Sequence, residues 1–325
     1  MKKLFTILAL LTIYVSLNAQ INVLYVTKDK SASLDPAAGA DPVLTMLQAD
    51  ENFAVTVNQD ASTALGDVSS YDLLVLCEAL GSGDAVVASA KGLDIRMLNM
   101  KVYAYKAGVW DWGTPTDGPG PDIAVVSGAE THPIFDGVTI TDGKVTLFKR
   151  TTDDNGATGS KATNYAYGLA AMTGDIQRLA YPDGATEADA VNIQACDDPS
   201  ATFGGTTIPK KYVLLGFNYG AMVADGATNL TDDGTLIISN SIHWLVSDLL
   251  PSNVDNKFNH KLNAYGITGN IRIITEKPVD VSIYSIDGRL VKQVLVNSTT
   301  NIPCESGLYL VNVADAGIAK VYVNK

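Results

Sequence analysis

The chain has 325 residues, of which 46% are hydrophobic, 18% charged and 7% aromatic, with a formal net charge of −12. That composition is too apolar for a disordered chain and too evenly interrupted for a polytopic membrane protein. The acidic balance, with no run of more than two basic residues, argues against nucleic acid or anionic lipid as a partner, since either needs a basic patch to displace counterions.

The N-terminus opens on Lys2-Lys3 followed by an apolar run from Leu4 to Leu17. A basic start and an apolar stretch shorter than a bilayer span read as a secretory signal peptide over residues 1–19, with Asn18-Ala19 before Gln20 as the expected cut. No Cys follows the apolar run, so no lipoprotein anchor is expected. Removing this segment takes away two lysines and no acid, leaving 21 basic against 35 acidic residues, a net charge of −14. No later stretch approaches the length of a transmembrane helix.

From residue 20 to 250 apolar strand-like runs alternate with helix-compatible stretches. That is the pattern of a mostly parallel, flavodoxin-like α/β sheet with helices on both faces. Ile21–Thr27 reads as the first strand, Pro42–Glu51 as a short helix capped by Asp41, and Phe53–Asn58 as the second strand. Tyr71–Cys77 is nearly all apolar and is expected at the sheet centre. Asp84–Leu93 follows as a helix, Lys101–Ala107 as a fourth strand and Ile123–Ser127 as a weaker one. Residues 141–210 are rich in Gly, Asp and Thr, and read as an antiparallel excursion with loops. Lys211–Phe217 is a further buried strand, and Leu236–Leu250 a helix with Ile238, Ile242, Leu245 and Leu249 in one stripe, Asp232 or Asp233 as its cap and Pro251 as its stop.

Residues 251–263 are polar and aperiodic, as in a linker. Beyond them the pattern turns all-β. Val279–Ile286 and Arg289–Val296 flank Asp287-Gly288, a strong hairpin signal, and Gly307–Val313 with Ile318–Val323 forms a second hairpin. A small immunoglobulin-like β-sandwich over 264–325 is the expectation.

Two stretches carry family resemblances. VSIYSIDGRLVKQ (281–293), SGLYLVNV (306–313) and the terminal KVYVNK resemble the C-terminal sorting domains of Bacteroidota, with Tyr284, Gly288, Gly307, Tyr309, Val311, Val313, Lys320 and Val321 at matching positions. This resemblance implies export through the type IX secretion machinery. The usual Asn-Pro opening element is absent, Leu262-Asn263-Ala264-Tyr265-Gly266 standing there instead. The body resembles the class I glutamine amidotransferase-like superfamily, in layout the ThuA-like domains. The resemblance rests on INVLYVT (21–27), YDLLVLCEAL (71–80), HPIFDGV (132–138) and the terminal strand with the helix LIISNSIHWLV (236–246).

The resemblance implies a nucleophilic Cys on a tight turn after the central strand and a His base after a later one. The corresponding places read Ala107-Gly108-Val109-Trp110 and Gly216-Phe217-Asn218-Tyr219-Gly220, without Cys or His. Amidotransfer is therefore not expected. Cys77 lies inside an apolar run and reads as a buried thiol, and Cys77, Cys196 and Cys304 are too scattered for a disulfide framework or zinc site. Asp153-Asp154-Asn155-Gly156 lacks calcium-loop spacing and reads as a solvated turn. No cofactor motif is present.

In a doubly wound sheet, ligands bind outside the carboxyl ends of the strands. Lys28, Asp29, Glu78 and Trp110-Asp111-Trp112 are assigned there, with His132 a further cleft candidate. Two readings of the tryptophans stay open: a platform that stacks on a carbohydrate or other small polar ligand, or a hydrophobic plug folded back over the sheet. Glu78 and Asp111 could alternatively form the carboxylate pair of a sugar hydrolase. A third reading makes the body a scaffold for a protein partner.

Overall fold

The computed structural model describes residues 20–30, 34, 38–150 and 162–250, and, further on, 263–267, 269–275, 278–285, 289–298, 300–313 and 317–323. The expected signal peptide, most of the linker, the Asp153–Gly156 turn and the Asp287-Gly288 turn lie outside the described residues. The chain divides into two compact units at residue 250/251.

In the first unit, strands β1 (Ile21–Val26), β2 (Phe53–Asn58), β3 (Leu73–Leu76) and β4 (Arg96–Asn99) are followed by β5 (Thr114–Asp117), β6 (Asp122–Val125), β7 (Lys144–Thr146) and β8 (Asn164–Tyr167). Then come β9 (Met172–Thr173), β10 (Ile176–Pro182), β11 (Ile193–Cys196), β12 (Thr202–Phe203), β13 (Thr206–Thr207) and β14 (Tyr212–Leu215). Nine of them form one mixed sheet in the order β2-β1-β3-β4-β14-β11-β10-β6-β7. The pairings from β2 through β14 are parallel. Those from β14 to β7 are antiparallel. The fold is thus α/β with a flavodoxin-like first half. The segment expected as an excursion supplies the other half of the same sheet, so "mostly parallel" is corrected to evenly mixed. Only residues 183–192 join β10 to β11, too few for the crossover that a parallel pair needs, so these two strands return antiparallel.

Among the described residues four α-helices accompany the sheet: α1 (Pro42–Ala49), α2 (Ala85–Ser89), α3 (Tyr219–Ala227) and α4 (Asp232–Val246). Asp41 Oδ1 accepts the backbone N–H groups of Val43 and Leu44 at 2.9 and 3.2 Å, satisfying two orphan donors of α1. The cap of α4 is Thr231, whose Oγ1 accepts from Gly234 N at 2.9 Å, so the helix starts four residues earlier than its apolar stripe suggests. Asp232 and Asp233 occupy its first turn, where they face the positive end of the helix dipole.

The expected fourth strand at 101–107 is the principal local correction. The strand is β4, and Val102–Tyr105 forms a 3₁₀ turn. Val-Tyr-Ala-Tyr alternates like a strand, but burial of Val102, Ala104 and Tyr105 together needs a helical turn. The helix expected over 84–93 is confined to the five residues of α2.

Period-2 alternation sorts the strands between two cores. Ile21, Val23 and Tyr25 of β1 face α1, α3 and α4 together with Leu98, Val213 and Leu215. Leu24 and Val26 face the other way, toward α2, Tyr105, Trp110, Trp112 and Phe203. One sheet face is therefore helix-covered in the ordinary way, and the other is closed by one short helix and an aromatic loop.

The second unit is a β-sandwich. One sheet has β15 (Asn263–Ile267), β16 (Asn270–Ile274) and β19 (Thr300–Pro303) in that order. The other is ordered β18 (Leu290–Val296), β17 (Val279–Ser285), β20 (Gly307–Val313), β21 (Gly317–Val323). Ile271, Ile273 and Ile302 of one sheet meet Val281, Ile283, Val311, Val321 and Val323 of the other in a single core. The small all-β unit expected from the hairpin pattern is therefore present, and its inward residues alternate along each strand.

Candidate functional site

The order β2-β1-β3-β4 reverses direction at β1, so the crevice between the carboxyl ends of β1 and β3 is the topological switch point. Lys28 and Asp29 leave β1 there and Glu78 leaves β3. Lys101 follows β4, and Asn218-Tyr219 follow β14.

Glu78 is 4% exposed and Lys101 7%. Lys101 Nζ donates to Glu78 Oε1 at 2.8 Å and to the Glu78 carbonyl at 3.0 Å. Glu78 Oε2 accepts the backbone N–H of Tyr219 at 3.0 Å, at the start of α3, and Oε1 accepts from Asn164 Nδ2 at 3.4 Å. The carboxylate is thus charge-paired, hydrogen-bonded on both oxygens and aligned with a helix N-terminus. A buried charge pair persists only when its remaining polar positions are satisfied in this way. Lys28 Nζ sits 3.3 Å from Asp84 Oδ1, half-exposed, and forms a surface pair of little energetic weight.

Next to this pair, Tyr25 OH donates to Asp41 Oδ2 at 2.5 Å, and Cys77 Sγ lies 3.5 Å from the same oxygen. Burial, reinforced by the Asp41 carboxylate, pushes the Cys77 thiol up to about 12. It stays protonated at neutral pH and is a poor nucleophile. The Tyr219 hydroxyl is likewise raised, by burial first and then by the nearby carboxylates, Asp41 foremost.

The tryptophans resolve the open alternative about the loop. Trp110 is 0% and Trp112 2% exposed. Trp110 Nε1 donates to the Val87 carbonyl at 2.8 Å, and Trp112 stacks on Phe203 with centroids 4.6 Å apart and planes at 13°. Trp112 is almost wholly covered, so of the two open readings the loop is a plug over the second sheet face and not a platform for a sugar. Asp111 between them is exposed, adopts φ 57°, and accepts the Gly108 N–H at 2.7 Å. Glu78 is buried and paired, so Glu78 and Asp111 do not border an open groove as a hydrolase pair must.

His132 belongs elsewhere. Strand β6 runs opposite to the parallel set, so its carboxyl end delivers His132 to the amino ends of β4 and β14. There the imidazole packs 5.1 Å from Trp244, whose ring also lies 5.0 Å from Lys211 Nζ. His132 Nδ1 accepts from Ile134 N at 3.2 Å, capping a short turn. Burial lowers its pKa, against the opposing pull of Asp136, Asp175 and Asp197. His132 is therefore not a residue of the switch-point crevice, and its contacts are those of a turn cap packed on Trp244.

With β4 at 96–99, the turn after the fourth parallel strand is Met100-Lys101-Val102 rather than Ala107–Trp110. It too lacks Cys, Ser and Thr. Sequence reasoning overlooked Lys101, Asn164 and Tyr219. The available signal was a lysine flanked by Met97, Leu98, Met100 and Val102, a setting that in a folded protein demands a buried anion.

A second polar chain runs beneath the site. Asn99 Nδ2 donates to Tyr212 OH at 2.9 Å, the Tyr212 and Tyr105 hydroxyls are 2.9 Å apart, and Tyr105 OH donates to Gln194 Oε1 at 2.9 Å. Asn99 Oδ1 accepts the Lys101 N–H at 2.9 Å, which ties the chain to the turn holding the ion pair. A cavity of ≈ 270 Å³ opens at the β2 edge, lined by Leu24, Asn58, Asp60, Leu65 and Tyr71 among others and by none of the candidate residues. Among the described residues no group of three or more His, Cys, Asp or Glu is placed to hold a metal ion, and no helix is long and apolar enough to cross a membrane.

No family model and no curated protein matches the chain. Among solved structures, a cytoplasmic protein from Salmonella typhimurium is similar at a TM-score of 0.40 and 12% identity, over 69% of this chain and 98% of that one.

Proposed function

We propose that this chain is an exported protein of the bacterial surface or surroundings, whose α/β body is a non-catalytic scaffold for a protein partner and whose C-terminal sandwich directs type IX secretion. One observation carries the scaffold reading. Glu78, at the place where a doubly wound sheet would engage a ligand, is already neutralised by Lys101, Asn164 and the Tyr219 N–H. The protonated Cys77 and the buried Trp110 and Trp112 support it, because neither that thiol nor those indoles are offered to solvent. Export rests on the sequence of residues 1–19 and on the sorting-domain resemblance of the terminal strands.

A thermal-shift screen of the protein against glycans, nucleotides and divalent metals tests the scaffold. Ligand at a hundredfold its Kd adds about 2.7 kcal/mol to stability. The expected result is no shift with any class. A shift of several degrees with one class, lost on Lys28→Ala, overturns the scaffold in favour of a small-ligand site. For export, the full chain expressed in a type IX-competent bacterium is expected outside the cell, and a chain ending at 263 in the periplasm. Equal distribution of the two refutes the sorting role.

A further inference from the structure

Among the described residues, five large apolar side chains are conspicuously exposed, and three of them, Leu290 (50%), Val291 (43%) and Leu295 (56%), lie on one strand, β18. That strand is the edge of its four-stranded sheet, so among the described residues one side of its backbone carries no strand partner. An exposed apolar edge is a template for pairing, and proteins ordinarily blunt such edges with charge. Here the strand carries a single charge, Lys292.

The sequence along the edge indicates what completes it. The β17–β18 ladder is regular from Lys292 to Val296, shifts register at Val291 and resumes with Leu290 opposite Tyr284. Gln293 and Leu295 pair with Ser282 and Asp280 and share the outward face with them, away from the buried Val281 and Ile283. Read about Gln293, the segment Val291-Lys292-Gln293-Val294-Leu295 is nearly its own mirror image in character. A two-fold axis through Gln293 sets Val291 against Leu295 of a second copy twice, faces the Gln293 amides toward each other, and places each Lys292 opposite Val294 rather than opposite the other Lys292. Such isologous self-complementarity is what a two-fold interface requires.

We propose that two copies of this chain associate through antiparallel pairing of their β18 edges, centred on Gln293, to give a continuous eight-stranded sheet. The paired segment is short and buries far less than the ~1,200–2,000 Å² of a stable interface, so the dimer forms at high local concentration, in the micromolar range or above. This inference is independent of the scaffold reading.

Sedimentation of the protein from about 1 to 500 µM tests it. The weight-average mass is expected to rise toward twice the monomer value. Val291→Lys and Leu295→Lys, both at exposed positions, are expected to stay monomeric with unchanged circular dichroism. Gln293→Cys in a Cys304→Ser background should form a disulfide-linked dimer under mild oxidation, because a residue opposite itself across an antiparallel pair has Cα atoms ~4.5–5.5 Å apart, within disulfide reach. Asp280→Cys, on the adjoining strand, should not. A wild type that stays monomeric throughout overturns the proposal. So does a dimer that survives both Lys variants, or one abolished by Val57→Lys on the edge of the other unit.

Discussion

Lys101 Nζ is held between the side-chain Oε1 and the main-chain carbonyl of one residue, Glu78, at 2.8 and 3.0 Å. A single lysine therefore neutralises the carboxylate and fixes the backbone that presents it, joining the ends of β3 and β4. The arrangement binds the switch point to itself, leaving the carboxylate with no vacant role toward a ligand.

Breaking that pair should be costly. Lys101→Met leaves a buried carboxylate without its cation and should destabilise the body by about 3–5 kcal/mol. That corresponds to a fall in Tm of roughly 10 °C for a domain of this size. The double variant Glu78→Gln/Lys101→Met should recover much of the loss. Thermal unfolding of the two single variants and the double variant measures the coupling. A double variant as unstable as the sum of the singles would deny the interaction.

Alkaline pH should weaken the body through Cys77. Its folded pKa, about 12, lies above the ordinary 9.0, so the native state holds the proton more tightly than the unfolded chain. The contribution is complete below about pH 9 and is lost as pH rises toward 12. Denaturant midpoints should fall across that window, and Cys77→Ala should flatten the part of the fall that Cys77 causes. Cys77 is buried and held as the thiol, whereas Cys304 is partly exposed, so at pH 8 Cys304 should react with a disulfide reagent well before Cys77 does.

The aromatic plug predicts a spectroscopic signature. Trp110 and Trp112 should emit at short wavelength and resist quenching by acrylamide, leaving the partly buried Trp244 as the main quenchable indole. Trp112→Ala should cost about 3–5 kcal/mol through the cavity it opens. A glycan that quenched the protected indoles would contradict the plug.

Glycine substitutions separate packing from composition. A Cβ on Gly216 would lie 1.9 Å from the Asn164 carbonyl oxygen and 2.5 Å from Asn192 Nδ2, whereas one on Gly83 meets nothing within 4 Å. Asn192 Nδ2 donates to the carbonyls of both Asn164 and Gly216 at 2.7 Å, so neither neighbour can retreat without losing buried hydrogen bonds. Gly216→Ala should fail to fold or melt many degrees lower, and Gly83→Ala should be near neutral. Soluble yield and Tm decide between them.

Local patterning determined much of this protein. Apolar runs and alternation fixed β1, β2, β3 and β14, the Asp41 cap, Ile238, Ile242 and Leu245 on the buried stripe of α4 (Leu249 falls beyond the helix end at Val246), and the strand pairs of the second unit, because each depends on residues close in sequence. The tertiary structure decided the rest. Val102–Tyr105 alternates like a strand, yet it turns because the space beneath it is filled by Trp110, Trp112 and Phe203, brought from elsewhere in the chain. Strand direction in the second half of the sheet depended on which distant strands pair, and no local period encodes that. Glu78 and Lys101 are 23 residues apart. Whether Glu78 met a ligand or a lysine depended on where β4 ends, and whether the tryptophans faced solvent depended on Phe203. Burial and charge pairing are properties of neighbours in space, and the sequence shows directly only neighbours along the chain.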